Sequence, residues 1–490
     1  MKRIFYIIIF TLLVTSCKKF LDVKPETQVD IDELFSSERG FKEALNGIYT
    51  RCTYGSLYGG NLTFNMLDVL AQNYQFNDVT YQAIANFDFR NNSLRYMCNE
   101  VWGASFSAIS NCNYILQYID KDPGMFSAGY HDLIKGEALA LRAYLHYDLL
   151  RMFAPSFVSG ASQKAIPYVT RTGTISTPFY TVGAVTDSIL RDLNNAKELL
   201  KADPIISKSY VVGYPGEKGI TEADATDLFM QNRRHRLNYY AVCGELARVY
   251  LGKKDYTNAK LNAEEVIKAD KFPFVKQDDF FKTDPLLRDR IMYPELVAGW
   301  YVDNTDIYST LQGRFTNQNP QYSATVSQIG DIYEIGKSGA DDWRLKQWFL
   351  NTAATTGGQD RAVLQKYYKN ASPLTNRHPL MAPAIRLSEM YYIAAEASWD
   401  TDPKVAVNYF NTIRAKRGIG DTVSEGISKD DFIELLLGEA RKEFYGESQL
   451  FFMYKRLHHG VRISVTNIKP ASNSIFVLPI PDDENAYRNN

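Results

Sequence analysis

The chain has 490 residues, with 55 Lys and Arg against 56 Asp and Glu and a formal net charge of −1, so it lacks the basic excess that a polyanion partner requires. Its five cysteines show no CxxC or other metal-ligand spacing; Cys52, Cys98, Cys112 and Cys243 read as buried apolar fillers whose pairing stays open. The 33 Tyr, 27 Phe and 5 Trp exceed what core packing requires, and Tyr suits surfaces that are flat, apolar and hydrogen-bonding at once.

Lys2 and Arg3 open the chain before an apolar run that begins at Ile4, passes Phe10 and ends at Ser16 and Cys17. That run is shorter than the roughly 20 residues a membrane-spanning helix needs, and it has the basic start and small-residue exit of a secretory leader. Val14-Thr15-Ser16-Cys17 looks like a bacterial lipobox. It predicts cleavage before Cys17, a diacylglycerol on the Cys17 thiol and acylation of the new amine. Each buried acyl methylene contributes about 0.8 kcal/mol, so three chains anchor where one binds reversibly. Residues 1–16 are thus read as a lipoprotein signal peptide, 17–39 as a lipidated tether containing Pro25, and 40–490 as one unit.

Helical periodicity then dominates. The expected helices are Glu43 to Tyr49, Tyr96 to Ile119, Tyr130 to Phe153, Val182 to Leu200, Leu237 to Gly252, Thr257 to Ala269, Ala384 to Trp399, Val405 to Lys416 and Lys429 to Tyr454. In the third, Ala138, Leu141, Leu145, Leu149 and Met152 recur at three- and four-residue steps, which assigns Glu137, Arg142, Asp148 and Arg151 to a polar edge. Ala247, Tyr250, Tyr256 and Ala259 flank the turn Gly252 to Asp255 with the small/large/large/small spacing of a tetratricopeptide hairpin. A second pair runs from Leu387 to Arg417, with Ala394, Ala395 and Ala397 for close contact and Pro403 at a helix start. Residues 272–383 read as an irregular insertion of loops and short strands, including a strand from Glu295 to Val302. The basic cluster Arg233-Arg-His-Arg236 reads as a solvated helix start, and the acid pairs Asp278-Asp279, Asp341-Asp342 and Asp482-Asp483 as caps or solvated faces. With no HExxH and no calcium-loop pattern, neither a metal nor a cofactor is expected.

The segment Lys135-Gly-Glu-Ala-Leu-Ala-Leu-Arg-Ala-Tyr-Leu-His-Tyr-Asp-Leu-Leu-Arg-Met-Phe153 resembles the signature helix of SusD/RagB-like outer-membrane lipoproteins. Further landmarks follow in family order: Phe20 to Pro25, Arg236-Leu-Asn238, Arg386 to Tyr391, Ala395-Glu-Ala397, Asn411 to Arg414, Glu439 to Phe444, Glu447 and Leu478-Pro-Ile-Pro481. The resemblance implies a predominantly α fold of tetratricopeptide-like helix pairs forming a superhelical scaffold, with the irregular region carrying the ligand face. It also implies a non-catalytic, lipid-anchored protein facing the cell exterior, which captures oligosaccharides or peptides and delivers them to a SusC-like TonB-dependent transporter. Two departures stand out. Ser448, Leu450 and Met453 replace the usual Gly, Arg and Asp, which predicts a more apolar helix there, and Lys18-Lys19 after Cys17 replace the acid-rich surface-export signal.

Sugar capture needs aromatic faces and amide or carboxylate partners for hydroxyls. Two Tyr- and Asn-rich stretches have that character and supply the expected ligand contacts: Asn73, Tyr74 and Tyr81 from one, Trp300, Tyr301 and Tyr308 from the other. Trp343 and Trp348 are expected to pack inward. The competing reading is a secreted helical glycoside hydrolase or lyase, which would also carry an aromatic cleft; the lipobox and the ordered landmarks favour a binding protein.

Overall fold

Among the described residues, ten helices of nine or more residues build the scaffold: α1 (Glu38–Cys52), α2 (Asn92–Tyr118), α3 (Tyr130–Phe153), α4 (Val182–Leu199), α5 (Tyr239–Gly252), α6 (Tyr256–Lys268), α7 (Leu387–Ser398), α8 (Pro403–Lys416), α9 (Lys429–Glu443) and α10 (Gln449–Leu457). From α1 to α8, each helix packs on the next, the arrangement expected of stacked helix pairs. A computed structural model describes residues 31–173, 175–302, 315, 322–354, 358–371 and 373–488. Among them, no helix is long and apolar enough to cross a membrane.

Capping fixes most of these boundaries. Ser37, Asn91, Thr181, Asn238, Asp255, Asp402 and Ser428 each accept a hydrogen bond from a first-turn amide of the helix that follows, which satisfies a donor that has no intrahelical partner. At the α5–α6 hairpin, Ala247 and Ala259 are fully buried. A Cβ on Gly252 would lie 2.6 Å from the Tyr147 hydroxyl, so a larger residue at the end of α5 would have to displace that hydroxyl.

Two expectations about helix bounds are corrected. Residues 384–386 belong to a strand that precedes α7, and the segment read as one helix from Lys429 to Tyr454 is two. Gly446 (φ +79°) and Ser448 (φ +60°) turn the chain between α9 and α10. The face of α10 is apolar, as its sequence departure implied: Leu450, Phe451, Phe452 and Tyr454 are buried.

The irregular insertion contributes short antiparallel pairs. After the pair β1 (Lys164–Pro167) and β2 (Phe179–Thr181) come β3 (Leu296–Tyr301), β4 (Ser323–Thr325), β5 (Phe349–Thr352), β6 (Arg361–Leu364) and β7 (Met381–Arg386). β3 pairs with β7, bringing Trp300 opposite Ala382 and Tyr301 opposite Met381; β6 lies between β4 and β5.

The polar edge expected on α3 does not exist as a solvated face. Helices surround α3, and its charged residues pair instead: Glu137 with Arg233, Arg142 with Asp192, and Asp148 with Arg151 and the Tyr58 hydroxyl. The densest such cluster centres on Glu443. Its Oε1 accepts from Arg386 (2.5 Å) and Arg417 (2.7 Å), and its Oε2 from Arg417 and Arg344 (both 2.9 Å). Arg417 also reaches Glu295 at 2.6 Å, and Arg344 reaches Glu439 and Asp342. Burial alone would raise the Glu443 carboxyl, but Arg417, Arg386 and Arg344 hold it well below the usual carboxylate range; Glu439 is held down to about 2, with burial opposed by Arg344 and Lys442.

Removing one member of a buried ion cluster strands the others without partners. Glu443→Gln should therefore lower unfolding free energy by about 3–5 kcal/mol, read from urea titration. A midpoint unchanged from wild type would contradict the cluster's role. Folding depresses the Glu439 and Glu443 pKa values, so their contribution is complete above the unfolded value of 4.5 and is lost as pH falls toward 2. The wild-type urea midpoint should fall through that acid window.

Candidate functional site

A surface cleft of about 450 Å³ lies where the end of α1 meets the segment before α5 and the end of β3. Its floor is built by charge pairing. Arg233 and Arg234 are wholly buried, Arg233 bonded to Asp203 and Glu137, and Arg234 to Glu222 and the Tyr293 carbonyl. This overturns the solvated reading of the basic cluster: two of its arginines are internal anchors. Between them and Arg236, His235 is fixed in place. Arg236 donates to Glu137 (3.2 Å) and to the Asn46 side-chain oxygen, while Tyr49 donates its hydroxyl to Glu137 (2.7 Å) and accepts the Leu237 amide (2.9 Å).

The cleft surface is largely aromatic, with Arg236 as a paired charge in its lining. Tyr301 stacks on His235 with centroids 4.9 Å apart and planes 12° from parallel. Tyr301 is 41% exposed, and Tyr54 (46%) and Leu228 (79%) rim the same opening. Beneath them Trp300 stacks on Tyr58 at 4.2 Å. Gln231, Asn232 and Thr50 add amides and a hydroxyl to the lining. Two buried nitrogens here, His235 Nε2 and Trp300 Nε1, have no hydrogen-bond partner among the described residues. Burial, with Arg234 and Arg236 on either side, pushes His235 down to about 3, so its ring is neutral.

The residues expected from sequence divide. Tyr301 is exposed in the cleft and Trp300 lines it from below. Asn73 is fully buried, donating to Asp68 (2.6 Å) and accepting from Arg441 (3.2 Å). Tyr74 and Tyr81 are buried against Tyr322, with the Tyr81 and Tyr322 hydroxyls 3.0 Å apart. The two stretches therefore belong to different ring clusters, and in this structure the 73–81 rings form core rather than platform. Tyr308 and Cys17 lie outside the described residues. Trp348 packs inward as expected, and Asp342 caps the short helix that carries Trp343 and Arg344. Tyr54 and His235 were not anticipated; they approach Tyr301 only through long-range folding. Cys52, Cys98, Cys112 and Cys243 are buried and unpaired, and among the described residues no group of three or more His, Cys, Asp or Glu is placed to hold a metal.

Comparison with known proteins covers almost the whole length. Residues 19–211 match a family model described as "Starch-binding associating with outer membrane", and residues 226–483 match the model of the SusD family. SusD-like protein P2 of Formosa agariphila is 21% identical over 535 residues, covering 97% of this chain and 96% of that protein. The fold is similar to a solved SusD-like carbohydrate-binding protein from Bacteroides vulgatus, with TM-score 0.72, 18% identity, and coverage of 93% of this chain and 97% of that one. A SusD superfamily protein from Bacteroides thetaiotaomicron has TM-score 0.66 and 19% identity, with 92% and 98% covered.

If His235 is as enclosed as the cleft floor places it, its ring resonances should stay at one position from about pH 8 down to about pH 4 in a histidine NMR titration. A transition near the ordinary value of 6.5 would contradict this placement.

Proposed function

Because the chain belongs to the SusD family, we propose that the cleft beneath Tyr301 holds an oligosaccharide for transfer through the outer membrane. The chain is an outer-membrane nutrient-binding protein that works with a SusC-like TonB-dependent transporter, and its task is capture rather than catalysis. The observation that carries the site reading is the exposed Tyr301 ring, held parallel to His235 above two buried nitrogens without partners.

Each part of that arrangement suits a hydroxyl-rich ring. The face of Tyr301 accepts the C–H side of a sugar. An unpaired buried polar group costs about 1–3 kcal/mol, and because both nitrogens are closed to solvent, a ligand hydroxyl offsets that cost at Trp300 Nε1 or His235 Nε2 by way of a small movement of the covering rings. Among the described residues Arg236 is the one charged side chain of the lining, and it is already bonded to Glu137 and Asn46, so the cleft offers a charge-paired, amide-rich surface. Anchoring through an acylated Cys17 completes the reading, and it rests on the lipobox alone.

Tyr301→Ala and Tyr54→Ala should each weaken oligosaccharide binding by about 0.5–1.5 kcal/mol, or roughly two- to twelvefold, while leaving the melting temperature nearly unchanged. Tyr81→Phe should leave affinity intact. Affinity lost in Tyr81→Phe but kept in Tyr301→Ala would place the site elsewhere. Cys17→Ala should abolish labelling by radioactive palmitate; undiminished labelling would remove Cys17 as the anchor.

A further inference from the structure

The helices also line a second, smaller and partly open cavity, of about 100 Å³, that shares no lining residue with the Tyr301 cleft. It lies among α3, α5, α7 and α10 and is walled largely by apolar side chains, including Leu150, Val249 and Ile393. Four cations and two carboxylates also reach it. Three of the cations are matched: Arg151 by Asp148, Arg248 by Glu389 (2.7 Å), and Arg456 by Glu396 (2.5 and 2.6 Å).

Lys455 is the exception. It is 3% exposed, and its Nζ donates to the carbonyls of Arg151 (2.5 Å) and Met152 (3.4 Å) at the end of α3. Among the described residues no carboxylate pairs with it. Carbonyl dipoles at a helix C-terminus favour a cation but do not neutralise it, and a buried ammonium without a counter-ion costs several kcal/mol. Burial and the neighbouring Arg151 accordingly push Lys455 well below the usual lysine range. The cavity adjoins a more polar cleft that shares Leu251, Glu396 and Arg456 with it.

We propose that this cavity is a binding site for a short-chain aliphatic carboxylate, its anionic head on Lys455 and its chain against Leu150, Val249 and Ile393. The volume sets the size. A 150 Å³ apolar cavity admits the six carbons of benzene, so about 100 Å³ admits roughly four non-hydrogen atoms, the size of acetate. The apolar walls disfavour inorganic phosphate or sulfate, whose oxygens would go unpaired on most sides.

Titration calorimetry on the full-length protein in detergent tests this, with sodium acetate as probe and acetamide as its neutral isostere. Acetate should bind at about millimolar Kd and acetamide at least about tenfold more weakly. Lys455→Met should abolish that preference, and Ile393→Phe, which fills the cavity, should remove acetate binding. Should Lys455→Met fail to fold, the isostere comparison and Ile393→Phe decide. The proposal is overturned by no acetate binding at about 50 mM, by equal affinity for the two probes, or by acetate binding that survives in a folded Ile393→Phe protein.

Discussion

Everything that positions the cleft depends on the pairing of buried arginines with buried carboxylates. Glu443 alone joins the end of β7 through Arg386, the end of α8 through Arg417, and the short helix of the irregular insertion through Arg344. Arg417 carries the connection on to Glu295, immediately before β3. Strand β3 is thereby tied at its head to the late helix pair, and its other end places Trp300 beneath the cleft and Tyr301 at the surface. Charges so deeply buried add little net stability over an apolar replacement, but they tolerate few alternative arrangements, because each misplacement leaves an ion without a partner. Here they specify where an otherwise irregular segment sits.

The first half of the chain repeats the device around Glu137, which accepts from Arg233, Arg236 and Tyr49. Those bonds draw α1, α3 and the segment before α5 together. His235 is the residue caught between, and its ring supplies the surface on which Tyr301 stacks. Two separate ion clusters thus set the two halves of one aromatic stack, one through β3 and one through Arg233 to Arg236. Rings already stacked before binding leave less side-chain ordering to be done when a ligand arrives.

Much of the helical scaffold was legible in the sequence because apolar spacing reports which face a helix buries. The bounds of α3 were readable to the residue. Its environment was not, because Glu137, Arg142 and Asp148 look like a solvated edge until their partners, Arg233, Asp192 and Tyr58, arrive from distant segments. The α9–α10 break escaped periodicity because Leu450, Phe451 and Tyr454 continue an apolar pattern beyond Gly446, where backbone conformation rather than hydrophobicity ends the helix. The site was legible only in part. Aromatic richness marks core and binding surface alike: Tyr74 and Tyr81 became core against Tyr322, whereas Tyr301, at the end of an edge-to-edge strand pair, stayed exposed. His235 was hidden inside a basic cluster that composition assigns to solvent.

The most direct measurement of this account is a crystal structure of the protein soaked with oligosaccharides. The account predicts a sugar ring packed on Tyr301 at about 4 Å, with a hydroxyl within hydrogen-bond reach of Trp300 Nε1 or His235 Nε2. A sugar bound with Tyr301 bare and both nitrogens still unpaired would contradict it.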